Sequence, residues 1–144
     1  MEENPQQPQP LFKLYKDKAV YIGTFIGGPL VAGYLAAENF KKLGQIDKAK
    51  TSWIISICVT IVIFASVFLI PNMDKIPNYL IPLIYTGIAR FLVQKFQGSA
   101  IKSHIAASGQ TYSTWRAVWI GLIGLLGLLL IIFIIILFAM AKTV

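Results

Sequence analysis

The sequence predicts an all-α integral membrane protein, a helical bundle with four membrane helices. Apolar residues make up 56% of the 144 residues and charged residues 13%, against about 45–50% and about 25% in soluble domains. The mean hydropathy is +0.69. Four segments are apolar over about the 20 residues that a helix needs to cross a hydrocarbon core. We predict membrane helices near 19–42, 53–70, 77–97 and 114–141.

Two parts of different character make up the chain. The first ten residues, MEENPQQPQP, hold three prolines and three glutamines, a composition typical of a disordered tail. The following LFKLYKDK carries three lysines among apolar residues, which predicts one or two helical turns on the lipid headgroups. We therefore expect a tail and an interfacial basic segment at 1–18, and a single transmembrane domain at 19–144.

The first apolar segment contains Gly28-Pro29 and allows two interpretations. It crosses the bilayer as one helix kinked at Gly28-Pro29, or it enters and turns back as a re-entrant segment. Small residues at four-residue spacing favour the kinked helix, because they let a second backbone approach closely. The expected packing residues are Gly23, Gly27, Gly28 and Ala32, with Gly121 and Gly124 of the last helix as partners.

The positive-inside rule favours the re-entrant alternative. If the first segment crosses, seven basic residues lie on the cytoplasmic side and five on the other. If it returns, the numbers are ten and two. Both alternatives place the same two loops in the cytoplasm, with Lys41, Lys42, Lys48, Lys50, Lys95, Lys102 and Arg116.

The remaining segments predict a hairpin and an anchored last helix. The turn PNMDKIPN joins the second and third segments, so these should pack as an antiparallel helical pair. In the next loop, residues 99–107 predict a short amphipathic surface helix that stops near Gly109. Ser113 or Thr114 is suited to cap the last helix. Tyr112, Trp115 and Trp119 then form an interfacial aromatic face.

Few residues in the sequence suggest chemistry, and we predict no catalytic, cofactor-binding or metal-binding residue. Cys58 is the single cysteine and is expected to be a small buried hydrophobe. Glu38 is expected to form a solvated pair with the lysines that follow it. His104 is expected on the surface, without acids to complete a zinc site. The net charge of +7 is explained by topology, so no nucleic-acid partner is expected.

Three basic residues are candidates for contact with an anionic headgroup or solute. Arg90 lies inside the third apolar segment, and its long side chain is expected to reach the headgroups. The alternative is that Arg90 faces the bundle as a fixed charge. Lys102 and Arg116 complete this candidate set.

Three stretches resemble small multi-pass inner-membrane proteins of bacteria that have no assigned function. These are AVYIGTFIGGPLVAGYLAAENFKKLG at 19–44, IPNYLIPLIY at 76–85 and STWRAVWIGLIGL at 113–125. The resemblance implies a multi-pass protein of the bacterial cytoplasmic (inner) membrane. It implies no activity, ligand or catalytic residue.

The function expected from these observations is binding rather than catalysis. We expect a non-enzymatic accessory, scaffold or interaction subunit in a bilayer with anionic headgroups. Its partner would be a second copy of the chain, in a homo-oligomer, or another membrane protein. The alternative is an oligomeric channel or small-solute transporter, for which the apolar segments offer only Ser56, Thr60, Ser66, Tyr85, Thr86 and Arg90 as polar lining.

Overall fold

The computed structural model of the chain describes residues 10–72 and 75–142, and these residues form an all-helical protein. The expected disordered tail at 1–10 lies almost wholly outside them. The helices in the described part are α1 (Asp17–Gly27), α2 (Pro29–Lys42), α3 (Ile46–Leu69), α4 (Leu80–Ala106) and α5 (Thr114–Ala141). The predicted all-α class is confirmed.

The first apolar segment turns back on itself at Gly28. Gly28 has a φ of 80° and ends α1, and Pro29 begins α2. The backbone amide of Tyr15, before α1, lies 2.7 Å from the side-chain oxygen of Asn39, near the end of α2. In one continuous helix these residues would be about 36 Å apart, at 1.5 Å per residue. The interpretation as one kinked helix is therefore wrong, because the segment forms a helical hairpin.

The α1–α2 hairpin lies between the longer helices. Helix α1 packs against α5 and α4, and α2 packs mainly against α3. The predicted antiparallel pair of α3 and α4 is wrong, since among the described residues neither helix has the other as a principal packing partner. The reason is that α2 supplies the surface that both of them contact.

Two of the described helices are long and apolar enough to cross a membrane. They are α5 and the part of α3 from Ile46 to Ser66. Helices α1 and α2 have 11 and 14 residues, or about 17 and 21 Å, which is short of a hydrocarbon core of about 30 Å. Four membrane helices are therefore not confirmed.

Local structure differs from the predictions at three further places. Residues 11–16 are not helical. Leu14 pairs with the loop before α5, and its carbonyl accepts a hydrogen bond from the amide of Tyr112 at 2.9 Å. The expected surface helix at 99–107 is the continuation of α4. Cys58 is exposed because it lies on the face of α3 that no other helix covers.

Candidate functional site: a buried polar junction beside an apolar groove

Asn39 is the centre of a buried polar junction. Its side-chain oxygen accepts a hydrogen bond from the amide of Tyr15, and its side-chain nitrogen donates to the carbonyl of Tyr15 at 2.9 Å. The same nitrogen donates to Oε1 of Gln97 in α4 at 3.0 Å. Asn39 is fully buried. One amide thus joins the segment before α1, the end of α2 and the middle of α4.

Gln97 completes the junction. Its side-chain nitrogen donates to the carbonyl of Ala36 at 2.9 Å, while its oxygen accepts from Asn39. The side chain is fully buried, so both polar ends need partners within the protein. The pair of amides therefore fixes the position of α4 relative to the returning helix α2.

Tyr15 connects this junction to the start of α5. Its side chain is buried, and its hydroxyl oxygen accepts a hydrogen bond from Nε of Arg116 at 2.9 Å. The Arg116 guanidinium also lies 4.5 Å from the ring centroid of Tyr112. Burial raises the pKa of Tyr15, and the nearby Arg116 opposes that shift in part. The neutral phenol is thus the form that the fold favours.

His104 is buried, so the expected surface position is wrong. Its Nε2 lies 2.8 Å from the carbonyl of Gln110, and because a carbonyl only accepts, Nε2 carries the proton. The ring also stacks on Phe12 at 4.9 Å between centroids. Phe12 of the N-terminal segment and Gln110 of the α4–α5 loop both contact His104. The polar stretch of sequence around His104 does not indicate this burial.

Four of the six predicted packing residues come together between α1 and α5. A Cβ added to Gly27 would lie 2.6 Å from the carbonyl oxygen of Gly121, and one added to Gly23 would lie 3.0 Å from that of Ala117. Gly124 faces Gly27 and Val31. The other two predicted residues lie elsewhere: a Cβ on Gly28 would meet nothing within 4 Å, and Ala32 faces a groove.

An apolar groove lies between α3 and α4, with α2 as its floor. Its volume is about 200 Å³. Small residues of α2 form the floor, and Ile55 and Val59 of α3 face Ile88 and Leu92 of α4 across it. Ser52, Ser56 and Gln97 also line the groove, but each makes hydrogen bonds to the protein itself. The groove offers an occupant mainly hydrocarbon contact.

The predicted basic candidates do not form one site. The Arg90 guanidinium lies 5.7 Å from the ring centroid of Tyr21 in α1. Arg116 contacts Tyr15 and Tyr112, and Lys102 is exposed on α4. Glu38 pairs with Lys41 at 3.0 Å, as the sequence suggests for a solvated carboxylate beside lysines.

The junction is suited to hold segments together rather than to transfer protons. Its polar groups are two neutral amides, a phenol and a guanidinium, and most of them already have partners. Among residues 10–72 and 75–142, no three His, Cys, Asp or Glu side chains come together as metal ligands would. Gln97 of this junction also lines the apolar groove.

Comparison with known proteins gives no match. No protein-family model, curated protein or solved structure is significantly similar to the sequence.

Proposed function

We propose that this chain is a multi-pass integral membrane protein in which α3, α4 and α5 cross the bilayer and the α1–α2 hairpin enters and returns. The observation that carries the proposal is the bare apolar surface of the long helices. In α5, all of which is described, only Ala117 and Gly121 are buried, and Leu126 and Phe138 are each 66% exposed. A continuous apolar surface of this size needs lipid or protein to cover it.

The proposed topology places the N-terminal segment in the cytoplasm. Leu14 is hydrogen-bonded to the α4–α5 loop at Gln110 and Tyr112, so both lie on the same side of the bilayer. With three crossings, ten basic residues are cytoplasmic and two are not, in agreement with the positive-inside rule. The membrane would be the bacterial cytoplasmic membrane, as the sequence resemblance implies.

The proposed role is that of a non-enzymatic accessory, scaffold or interaction subunit. The ionisable and amide groups of the junction hold one another in place. The groove and the outer faces of α3, α4 and α5 are available to other molecules. The partner is a second copy or another membrane protein, held in a bilayer with anionic headgroups.

Two measurements on the full chain test this proposal. Membranes from expressing cells are washed with alkaline carbonate, and the protein is then extracted in mild detergent for mass determination. Retention after the wash, with a mass above that of one chain, is the expected result. Release by carbonate contradicts membrane insertion. A monomer without a co-purifying protein contradicts the subunit role.

One observation favours the alternative of an oligomeric channel or small-solute transporter. The hydroxyls of Thr24 and Thr86 are fully buried and have no hydrogen-bond partner among the described residues. Helices α1 and α4 run antiparallel, since Gln94 donates a hydrogen bond to Asp17 and Arg90 lies over the ring of Tyr21. In this register Thr24 of α1 and Thr86 of α4 lie at nearly the same depth. The test is solute flux into proteoliposomes that contain the protein. Flux that the Thr86→Val variant lacks would support transport, and absence of flux in the wild type would exclude transport of the solutes tested.

A further inference from the structure

The groove extends over about half of a bilayer. Along its floor it runs from Pro29 to Phe40 of α2, which is about 16 Å at 1.5 Å per residue. A hydrocarbon core is about 30 Å thick, so one leaflet accounts for about 15 Å. A lipid acyl chain has this reach, whereas a membrane-spanning partner helix is twice as long.

Two lysines flank the end of the groove that lies at the cytoplasmic surface in the proposed topology. Phe40 and Phe96 line that end. The ammonium group of Lys48, from α3, lies 5.9 Å from the Phe40 ring centroid, and that of Lys95, from α4, lies 5.8 Å from the Phe96 ring centroid. Positive charge thus stands on both sides of the opening, at the level where a headgroup phosphate would lie.

We infer that the groove binds an anionic phospholipid of the cytoplasmic leaflet. One acyl chain lies along α2 between α3 and α4, and the phosphate lies between Lys48 and Lys95. This inference rests on the proposed membrane insertion and names the ligand of the groove. The apolar lining supplies most of the affinity, and the two lysines supply the preference for negative charge. The site is separate from Arg90, Lys102 and Arg116.

The floor of the groove is open because its residues are small. Gly33 packs directly on Ser56 of α3, and Ala32 and Ala36 leave the space above α2 free. A larger side chain at Ala32 would therefore occupy the volume that the acyl chain needs. This gives a second variant whose effect does not depend on charge.

The test measures lipid binding to the purified full chain by native mass spectrometry in mild detergent. The probes are phosphatidylglycerol and phosphatidylcholine with identical acyl chains. The charge variant is Lys48→Gln/Lys95→Gln, and its matched control is Lys42→Gln/Lys50→Gln, which removes the same charge from the same side at two exposed residues that do not line the groove. Ala32→Leu is the groove variant. Thermal unfolding establishes that each variant is folded.

The expected result is an at least fivefold preference of the wild type for phosphatidylglycerol. The charge variant binds this lipid about tenfold more weakly, the matched control stays within twofold, and Ala32→Leu weakens binding of both lipids. Equal binding by the two double variants overturns the inference. Dissociation of a wild-type dimer by Ala32→Leu would also overturn the inference, because a second copy of the chain would then be the occupant of the groove. Carbonate release is a separate result, which refutes the proposed membrane insertion itself.

Discussion

Asn39 holds together three segments that are far apart in the sequence. It bonds the backbone of Tyr15 with both ends of its amide and also bonds Gln97. All three residues are buried, so water does not replace a lost partner. A buried group left without a partner costs about 1–3 kcal/mol, and this makes the junction sensitive to single substitutions.

Asn39→Leu is expected to lower the free energy of unfolding by about 3 kcal/mol or more, because it leaves the amide and carbonyl of Tyr15 and the oxygen of Gln97 unpaired. Thermal unfolding in mild detergent measures the change. Asn78→Leu, on an exposed turn, is the control and should alter stability little. Similar losses in both variants would show that the hydrogen bonds of Asn39 matter little.

Tyr15→Phe tests the hydroxyl that accepts from Arg116. The variant is expected to be about 1 kcal/mol less stable than the wild type at pH 8. Because burial raises the pKa of Tyr15, the folded protein holds the phenol proton more tightly than the unfolded chain does. The stabilisation is therefore complete below the usual tyrosine pKa of about 10 and is lost as pH rises through the folded value.

The expected outcome is a stability difference between wild type and Tyr15→Phe that shrinks from pH 8 to pH 11. Both proteins contain the same lysines, so lysine titration cancels in the comparison. A difference that is constant over this range would contradict the assignment of Tyr15 as a buried phenol favoured in its neutral form.

The polar junction was not predictable from single residues. Asn39 follows an apolar segment beside Lys41 and Lys42, which is the usual place for a solvated residue. His104 lies in a polar stretch of the sequence, at the end of α4. Their burial depends on the non-helical segment at 11–16. The pairing of Leu14 with Thr111 in the α4–α5 loop leaves no periodic pattern in the sequence.

At the scale of elements, the contact of α1 with α5 depends on glycine. Helix α1 lies so close to α5 that a Cβ at Gly27 would come within 2.6 Å of the Gly121 carbonyl oxygen and 2.8 Å of its Cα. Backbone atoms do not move aside as a flexible side chain does. The spacing of small residues in both helices indicates such a contact, since small residues are what allow it.

Gly27→Ala is expected to destabilise the protein by about 1–3 kcal/mol through overpacking, although alanine favours the helical state over glycine. The control is Gly127→Ala in α5, where an added Cβ would meet nothing within 4 Å and stability should stay equal or rise. Melting temperatures of the two variants in the same detergent provide the comparison. A Gly27→Ala protein as stable as the control would mean that the helices are not in close contact.

The long helices were predictable because their apolar runs are uninterrupted, and α3 and α5 include most of the predicted ranges. The turn at Gly28 is not predictable from the sequence, because Gly-Pro is compatible with a kink as well as with a reversal. The charge count favoured reversal and the glycine spacing favoured a kink. The hydrogen bonds of Asn39 decide between them, and the sequence does not show that Asn39 and Tyr15 meet.

For the whole molecule, the proposed topology determines which residues share a side of the membrane. Single cysteines at positions 13, 48 and 102, in a Cys58→Ser background, are expected to react with an impermeant reagent only after the cells are opened. A cysteine at position 75 is expected to react in intact cells. Labelling of position 13 in intact cells, with positions 48 and 102 protected, would contradict the proposed topology and support a first segment that crosses the bilayer.

The close contact of α1 with α5 also determines the order in which the protein is completed during synthesis. Gly27 and its partner Gly121 are 94 residues apart, and Tyr15 and Arg116 are 101 apart. At about 5–20 residues per second, the hairpin leaves the ribosome roughly 5–20 s before the helix against which it packs. During this interval the glycine face of the hairpin and the hydroxyl of Tyr15 lack their final partners. The first segment to be made is therefore among the last to reach its native surroundings.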